Sequence, residues 1–284
     1  KLIGVAVSQF LDLNQLQTFG ERDRCIKTSI RNFVFRNFAS HVLFIGNNML
    51  TGQNAYAFSE DCDTAAALKT LKAASDALKA IFKSKGKKVH IVTFKDFPEV
   101  PATAFQDEGF SEFYQFTAQP NMVFNIDSNW NSEQDYIDAL TKKYRDQYKR
   151  ARKKSEGIEK RKLQLEEIMT NETLIYDLYY HVARNAPFNT FFLAKNHFST
   201  FKKFFGDDFL FYGYFHNGKL IGFNTMIKNG NTLDTYFLGY DESIQREKML
   251  YLNMLYDLIR EGISQQVSQV DLSRTAIEIK STVG

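Results

Sequence analysis

Hydrophobic and polar positions alternate through the second half of the chain in a way that predicts three consecutive β-strands. The segments 209–216, 219–228 and 232–238 are rich in aromatic and β-branched residues, which favour strands. The two-residue connections 217–218 and 229–230 are both Asn-Gly, a pair that favours the left-handed backbone of a tight hairpin turn. The pattern therefore predicts an antiparallel meander of three strands.

Two further elements are expected to complete this sheet. Apolar residues at helical spacing over 245–263 predict a long amphipathic helix. The β-branched run 267–279 then predicts a closing strand. If this run is extended, alternation places Arg274, Glu278 and Lys280 on one face. Three charges on one face need solvent, one another or a polar ligand, so this strand is our first candidate site.

A basic helical segment precedes the meander. Large apolar residues recur every three or four positions between 136 and 151, and Ser132 is a suitable N-cap. Because the remaining positions are mostly Lys and Arg, we predict a basic helix over 132–162. Such a helix is either a solvated surface or a docking surface for a polyanion. Two shorter helices are predicted over 173–184 and 195–205.

The first half of the chain reads as an alternation of strands and helices. The pattern predicts strands over 41–46 and 88–94, a helix over 61–85, a short helix ending at Gly109, and extended runs over 110–118 and 121–127. This order is typical of a mixed α/β unit. We therefore divide the chain into two lobes, 1–128 and 129–284.

Composition narrows the class of protein. A chain of 284 residues with 44% hydrophobic residues suits one large or two medium domains. The formal charge of +3 is too small to indicate DNA as a partner. The two cysteines lie far apart, which argues against a disulfide scaffold and favours a cytoplasmic protein. Since the chain begins at Lys1 and stops at Gly284 directly after a strand-like run, we expect the native chain to be longer.

The predicted order of helices, meander, long helix and final strand resembles the core of GNAT-type acyltransferases. Segments 136–145, 219–223 with 238–241, and 274–280 carry the resemblance, which covers about 131–284. This part of the chain is similar to the two-lobed branch of that family, which includes the Fem-type peptidyltransferases. The resemblance implies an α/β fold with a mixed sheet and tandem GNAT-like lobes, of which 1–128 would be the degenerate one.

The resemblance also implies a function, the transfer of an acyl group from an acyl-CoA-type donor to an amine by direct attack. The acceptor would be a small molecule, a lipid or a peptide. Lys280 would stabilise developing charge, Arg274 would bind a phosphate or carboxylate, and Glu278 would orient a cation or accept the amine proton. Tyr144, Arg145 and Thr275 would contact substrate. The donor-binding residues implied are Leu238, Gly239, Gln245, Arg246 and Lys248. No metal site is expected.

Two departures from the family pattern leave the donor open. The segment 243–250, where simple GNAT enzymes have a glycine-rich phosphate loop, contains no glycine. Ser273 also stands where the family usually has glycine before the arginine. The alternatives are a Fem-type transferase that uses aminoacyl-tRNA and a degenerate GNAT-fold binding protein. The basic helix would then dock coenzyme A phosphates, aminoacyl-tRNA or an anionic membrane surface.

Overall fold

The computed structural model describes residues 2–15, 33–52, 55–97, 105, 109–117, 120–186, 189 and 191–284. The chain forms two compact units, Lys1–Ala118 and Gln119–Gly284. The division falls ten residues before the predicted one, because the segment after Gln119 contributes a strand to the second unit. The predicted helix before Gly109 lies mostly outside the described residues, and the described part of 110–118 contains no strand.

The first unit contains two small sheets. Strands β1 (Gly4–Ala6) and β4 (Tyr56–Phe58) pair antiparallel. Strand β3 (His41–Ile45) lies between β2 (Ser8–Asp12), antiparallel to it, and β5 (Ile91–Phe94), parallel to it. Helix α1 (Thr64–Ser84) begins at the N-cap Asp63, whose carboxylate accepts two backbone N–H groups. Both predicted strands and the predicted helix are therefore present, with shorter bounds.

The second unit is built on a six-stranded sheet in the order β6-β11-β10-β9-β8-β7. The predicted meander is confirmed, and its strands are β8 (Phe209–His216), β9 (Lys219–Asn229) and β10 (Thr232–Tyr240). Strand β7 (Ile158–Lys162) pairs with β8, and β6 (Val123–Asn125) pairs with β11 (Gln269–Asp271). The β10–β11 pair is parallel and the other pairs are antiparallel.

Helices cover both faces of this sheet. They are α2 (Glu133–Ala139), α3 (Lys142–Lys154), α4 (Leu165–Thr170), α5 (Glu172–Asn185), α6 (His197–Phe205), α7 (Glu242–Lys248), α8 (Leu250–Ser264) and α9 (Ile277–Lys280). Phe209 contacts Phe201 of α6, whereas Leu210 lies in the core formed with α8. Adjacent strand residues point to opposite faces, so α6 and α8 cover opposite faces. None of the described helices has the length and apolar character that a membrane crossing needs.

Two predicted helices are shorter than expected. The basic helix over 132–162 is interrupted at Leu140, whose backbone is extended, and α3 ends at Lys154. Residues 158–162 form the strand β7 instead, with alternating exposure that suits an edge strand. The long helix over 245–263 is likewise two helices, because Met249 adopts a left-handed backbone with φ 49° between α7 and α8.

The predicted closing strand over 267–279 is wrong except at Gln269–Asp271. Strand β11 ends at Asp271, and the chain then turns into the one-turn helix α9. Ser273, Thr275 and Ala276 have φ of 63°, 71° and 49°, which an extended strand does not allow. Arg274, Glu278 and Lys280 therefore do not share the face of a strand.

Candidate functional site at the ends of β10 and β11

The two parallel strands of the second unit separate after three residue pairs. Thr232–Asp234 of β10 pairs with Gln269–Asp271, and β10 then continues to Tyr240 without that partner. A register shift between Thr235 and Leu238 marks a bulge against β9, where the Thr225 hydroxyl donates to the Phe237 carbonyl at 2.6 Å. Ligands of α/β sheets commonly bind beyond the carboxyl ends of parallel strands. This separation is therefore the candidate site.

Two carboxylates lie side by side where the strands separate. Asp234 and Asp271 are partners in the parallel register, and each is only 7% exposed. Asn229 Nδ2 donates to Asp234 at 3.1 Å, while Asn121 Nδ2 donates to Asp271 at 2.6 Å. Burial, reinforced by the neighbouring Asp271 charge, raises the pKa of Asp234 despite the hydrogen bond from Asn229. This pair is not recognisable in the sequence, because the two residues are 37 positions apart.

Lys280 is a buried cation close enough to Asp271 for the charge of that carboxylate to act on it. Lys280 is 5% exposed, and its Nζ donates to the carbonyls of Arg274 at 2.9 Å and of Ser273 at 3.3 Å. Burial lowers the pKa of Lys280 to about 8, against the opposing effect of the Asp271 charge. The ammonium thus holds together the loop that follows β11, including its left-handed Ser273.

The other predicted residues of this segment have different surroundings. Arg274 is partly buried, whereas Thr275 and Glu278 are exposed to solvent. A shallow depression of about 400 Å³ runs along Thr275–Ile279. Thr275 is β-branched and has a positive φ, a conformation that costs free energy and is concentrated at functional sites. The loop therefore combines a buried Lys280 with an exposed, strained surface.

A histidine and a tyrosine that the sequence analysis did not single out lie on the α6 face of the sheet. His197 Nε2 and the Tyr236 hydroxyl are hydrogen-bonded at 3.0 Å. Burial lowers the pKa of His197 to about 4 and raises the pKa of Tyr236. Both groups are therefore neutral near pH 7. Tyr236 lies on the predicted strand 232–238, but its hydrogen bond with His197 of α6 depends on tertiary packing.

Gly239, a predicted donor-binding residue, has a packing role. A Cβ at this position would lie 2.5 Å from the Tyr179 backbone nitrogen and 2.6 Å from the Leu178 carbonyl carbon. Glycine thus permits the close approach of α5 to β10. Neighbouring Leu238 is partly buried. The absence of a side chain at 239 is therefore explained without a ligand.

Helix α7 occupies the segment where the resemblance implied a phosphate loop. Arg246 is 89% exposed, while Lys248 Nζ donates to the Glu156 carbonyl at 3.4 Å, and Gln245 is partly buried. Leu250 is fully buried at the start of α8, and Asn253 Nδ2 donates to the Met249 carbonyl at 3.0 Å. Helix α7 and the buried Leu250 therefore stand where simple GNAT enzymes have an open, glycine-rich backbone cradle for phosphate.

The two predicted substrate contacts from the basic helix pack within the protein. Arg145 donates to the carbonyls of Ile137, Asp138 and Leu140 at 2.8–3.1 Å, and so caps the C-terminus of α2. Tyr144 is packed against the core. The remaining basic residues of α3 are mostly exposed, namely Lys142, Lys143, Lys149, Arg150, Lys153 and Lys154. Arg145 therefore has a structural role. The exposed basic residues of α3 remain the candidate docking surface.

No cluster of three or more His, Cys, Asp or Glu side chains suited to a metal ion occurs within the described parts of the chain.

Comparison with known proteins supports the fold. A conserved protein of unknown function from Bacteroides thetaiotaomicron has a TM-score of 0.53 and 14% identity, over 86% of this chain and 74% of that chain. FemX has a TM-score of 0.50 and 11% identity, over 83% of this chain and 72% of that chain. No protein-family model and no curated protein sequence matches the chain. The chain has a mixed α/β fold with a tandem GNAT-like architecture, as predicted.

Proposed function

We propose that this protein is an N-acyltransferase that moves an acyl group from an acyl-CoA-type donor to an amine on a small molecule, lipid or peptide. The observation that carries the proposal is the buried Lys280, with a pKa of about 8, at the separation of β10 and β11. The similarity of the fold to FemX supports a transferase. The assignment of 1–128 as a degenerate lobe belongs to the same proposal.

The proposed reaction is a direct attack. The amine nitrogen attacks the acyl carbon, a C–N bond forms, and the bond from the acyl carbon to sulfur or oxygen of the donor breaks. Two of the three Lys280 N–H donors are used by backbone carbonyls. The third stabilises the negative charge that develops on the leaving group. A pKa near 8 keeps most of the side chain protonated at neutral pH while allowing it to release a proton.

The neighbouring side chains have complementary roles in this proposal. Arg274 binds a phosphate or carboxylate of a substrate, and its planar fork suits either group. Glu278 is exposed and can be reached by an incoming amine, so it accepts the amine proton. Thr275 lies beside it on the shallow surface. The neutral Tyr236 hydroxyl, held by His197, is a second proton donor for the leaving group.

A second candidate is a Fem-type transferase that uses aminoacyl-tRNA. Two observations favour it. Helix α7 and the buried Leu250 replace an open phosphate loop, and the exposed face of α3 is strongly basic. The chemistry at the acyl carbon is the same, but the donor is an ester of tRNA that would dock on α3. An anionic membrane surface would attract the same basic face.

The decisive experiment is a transfer assay with both donor classes. Purified protein is incubated with acyl-CoA species or aminoacyl-tRNA and a panel of amines, and amide products are detected by mass spectrometry. Lys280→Met is expected to lower the rate by about 100-fold, whereas Lys203→Met, on an exposed lysine of α6, retains it. Equal rates in both variants would refute the role of Lys280.

The same assay separates the candidates. Product from acyl-CoA alone supports the first proposal. Product from aminoacyl-tRNA alone, with tRNA affinity that falls steeply with salt, supports the second. Absence of product from every donor, with the protein folded, would contradict both and favour a degenerate binding protein.

A further inference from the structure

A polar cavity in the second unit is separate from the ends of β10 and β11. It has a volume of about 270 Å³ and lies among α3, β7, β8 and α8. Its polar lining includes Arg152, Lys160, Tyr214, Asn253, Asp257 and Arg260. None of its lining residues belongs to β10, β11 or the loop that ends in Lys280. The cavity is therefore not part of the proposed transferase site.

The one carboxylate that lines the cavity is paired with the side chains around it. Asp257 is buried, and its Oδ2 accepts a hydrogen bond from the Tyr214 hydroxyl at 2.8 Å. Its Oδ1 lies 3.0 Å from Arg152 Nη1 and 3.2 Å from Arg260 Nη2. Asp257 therefore serves to orient the two arginines.

A second carboxylate, outside the lining, balances the other arginine charge. Glu133 of α2 lies 2.7 Å from Arg152 Nη2 and 3.8 Å from Arg260 Nη1. The two arginines thus face two carboxylates, Asp257 and Glu133. Each guanidinium carries five N–H donors, so these contacts leave further donors on both arginines.

Lys160 is a third cation at the cavity, and Glu261 is a further carboxylate whose charge acts on it. Its Nζ lies 4.1 Å from the centre of the Tyr212 ring. Across the described residues, no carboxylate oxygen comes within 4.0 Å of this nitrogen. Burial lowers the pKa of Lys160, although the charges of Asp257 and Glu261 oppose that effect. Lys160 is partly buried, and a partly desolvated cation without a carboxylate in contact is unfavourable in the ligand-free protein.

We propose that this cavity binds a phosphate group. Its three cations come from different elements, Arg152 from α3, Lys160 from β7 and Arg260 from α8. They approach the cavity from several directions, which suits the tetrahedral arrangement of phosphate oxygens better than a planar carboxylate. The volume is near the lower end for small-molecule sites. The ligand is therefore compact, either free phosphate or the phosphate of a larger molecule that reaches the cavity.

The proposal can be tested by thermal shift and calorimetry on the whole chain. Inorganic phosphate and adenosine 3′,5′-bisphosphate are titrated at constant ionic strength, with chloride as the reference anion. A ligand of the native state raises the melting temperature in a saturable way. Tighter binding of the bisphosphate indicates a phosphate carried by a larger molecule, and equal or tighter binding of inorganic phosphate indicates the free ion.

Substitution of Lys160 tests the site itself. Lys160→Met is expected to weaken phosphate binding by about 10- to 100-fold, because a charge-assisted contact is lost. The ligand-free variant should melt at or above the wild-type temperature, since a partly buried cation is removed. Lys160→Gln serves as the second variant, and Lys203→Met as the matched control with unchanged binding. Absence of a saturable response to either probe, or unchanged affinity in both Lys160 variants, would overturn the proposal.

Discussion

Replacing Lys280 by methionine should change how the stability of the protein depends on pH. The side chain is almost completely buried, and its pKa is lowered from 10.5 to about 8. The charged form of Lys280 is less favourable in the folded protein than in the unfolded chain. The unfolded chain therefore binds more protons between the two pKa values, and stability rises with pH across that interval.

The size of the effect follows from the shift. A difference of about 2.5 pKa units corresponds to a penalty of about 3 kcal/mol, which is present in full below the folded pKa. The penalty is relieved as the pH rises from about 8 to 10.5. Between pH 7 and 9.5 the expected gain in the free energy of unfolding is about 2 kcal/mol. Methionine has no such titration, so this contribution disappears in the variant.

Urea unfolding at a series of pH values measures this gain. Because buried tyrosines and other lysines also titrate at high pH, the quantity to compare is the difference between wild type and Lys280→Met. This difference should change by about 2 kcal/mol between pH 7 and 9.5. Lys203→Met, with its exposed lysine, should stay parallel to wild type. If the wild-type and Lys280→Met curves are also parallel, the burial argument for Lys280 is incorrect.

Three further substitutions in the second unit have expected outcomes. Gly239→Ala should destabilise the protein by about 1–3 kcal/mol in urea unfolding, because its Cβ meets backbone of Tyr179; unchanged stability would contradict the packing role. Arg145→Met should lose about 1 kcal/mol of stability with transfer activity retained; the opposite pattern would indicate substrate binding. Tyr236→Phe should lower transfer by about 100-fold with little change in melting temperature; wild-type activity would exclude the Tyr236–His197 pair from the reaction.

Local patterns account for the parts of the fold that were predicted well. The first predicted turn is Asn217-Gly218, where both residues have positive φ, whereas the second turn lies one residue later than predicted, at Gly230 and Asn231, because Asn229 ends β9 and pairs with Thr232. The strands around both turns match the prediction within two residues. By contrast, helical periodicity continues through Met249, yet its backbone is left-handed there. The break places Leu250 in the core. Burial of that side chain overrides the local preference for one continuous helix.

The candidate site was predicted only in part, for a related reason. Lys280 and Arg274 were identified from their charges in an apolar run, but the strand that was expected to align them ends at Asp271. Their proximity comes from the loop, in which the Lys280 ammonium contacts the Arg274 carbonyl. Sequence spacing cannot predict that contact, because it depends on consecutive left-handed residues that no glycine signals.

The sequence by itself determined the meander, the mixed α/β class and the position of the charged C-terminal segment, since these depend on turn residues and periodicity between near neighbours. Only the tertiary structure decided which distant groups meet. Asp234 and Asp271 become register partners, and His197 reaches Tyr236. Lys160 enters a cavity with two arginines. Each of these arrangements depends on burial and on pairing between segments that are tens of residues apart. Burial and new neighbours change the pKa of a side chain, although its neighbours in the sequence stay the same.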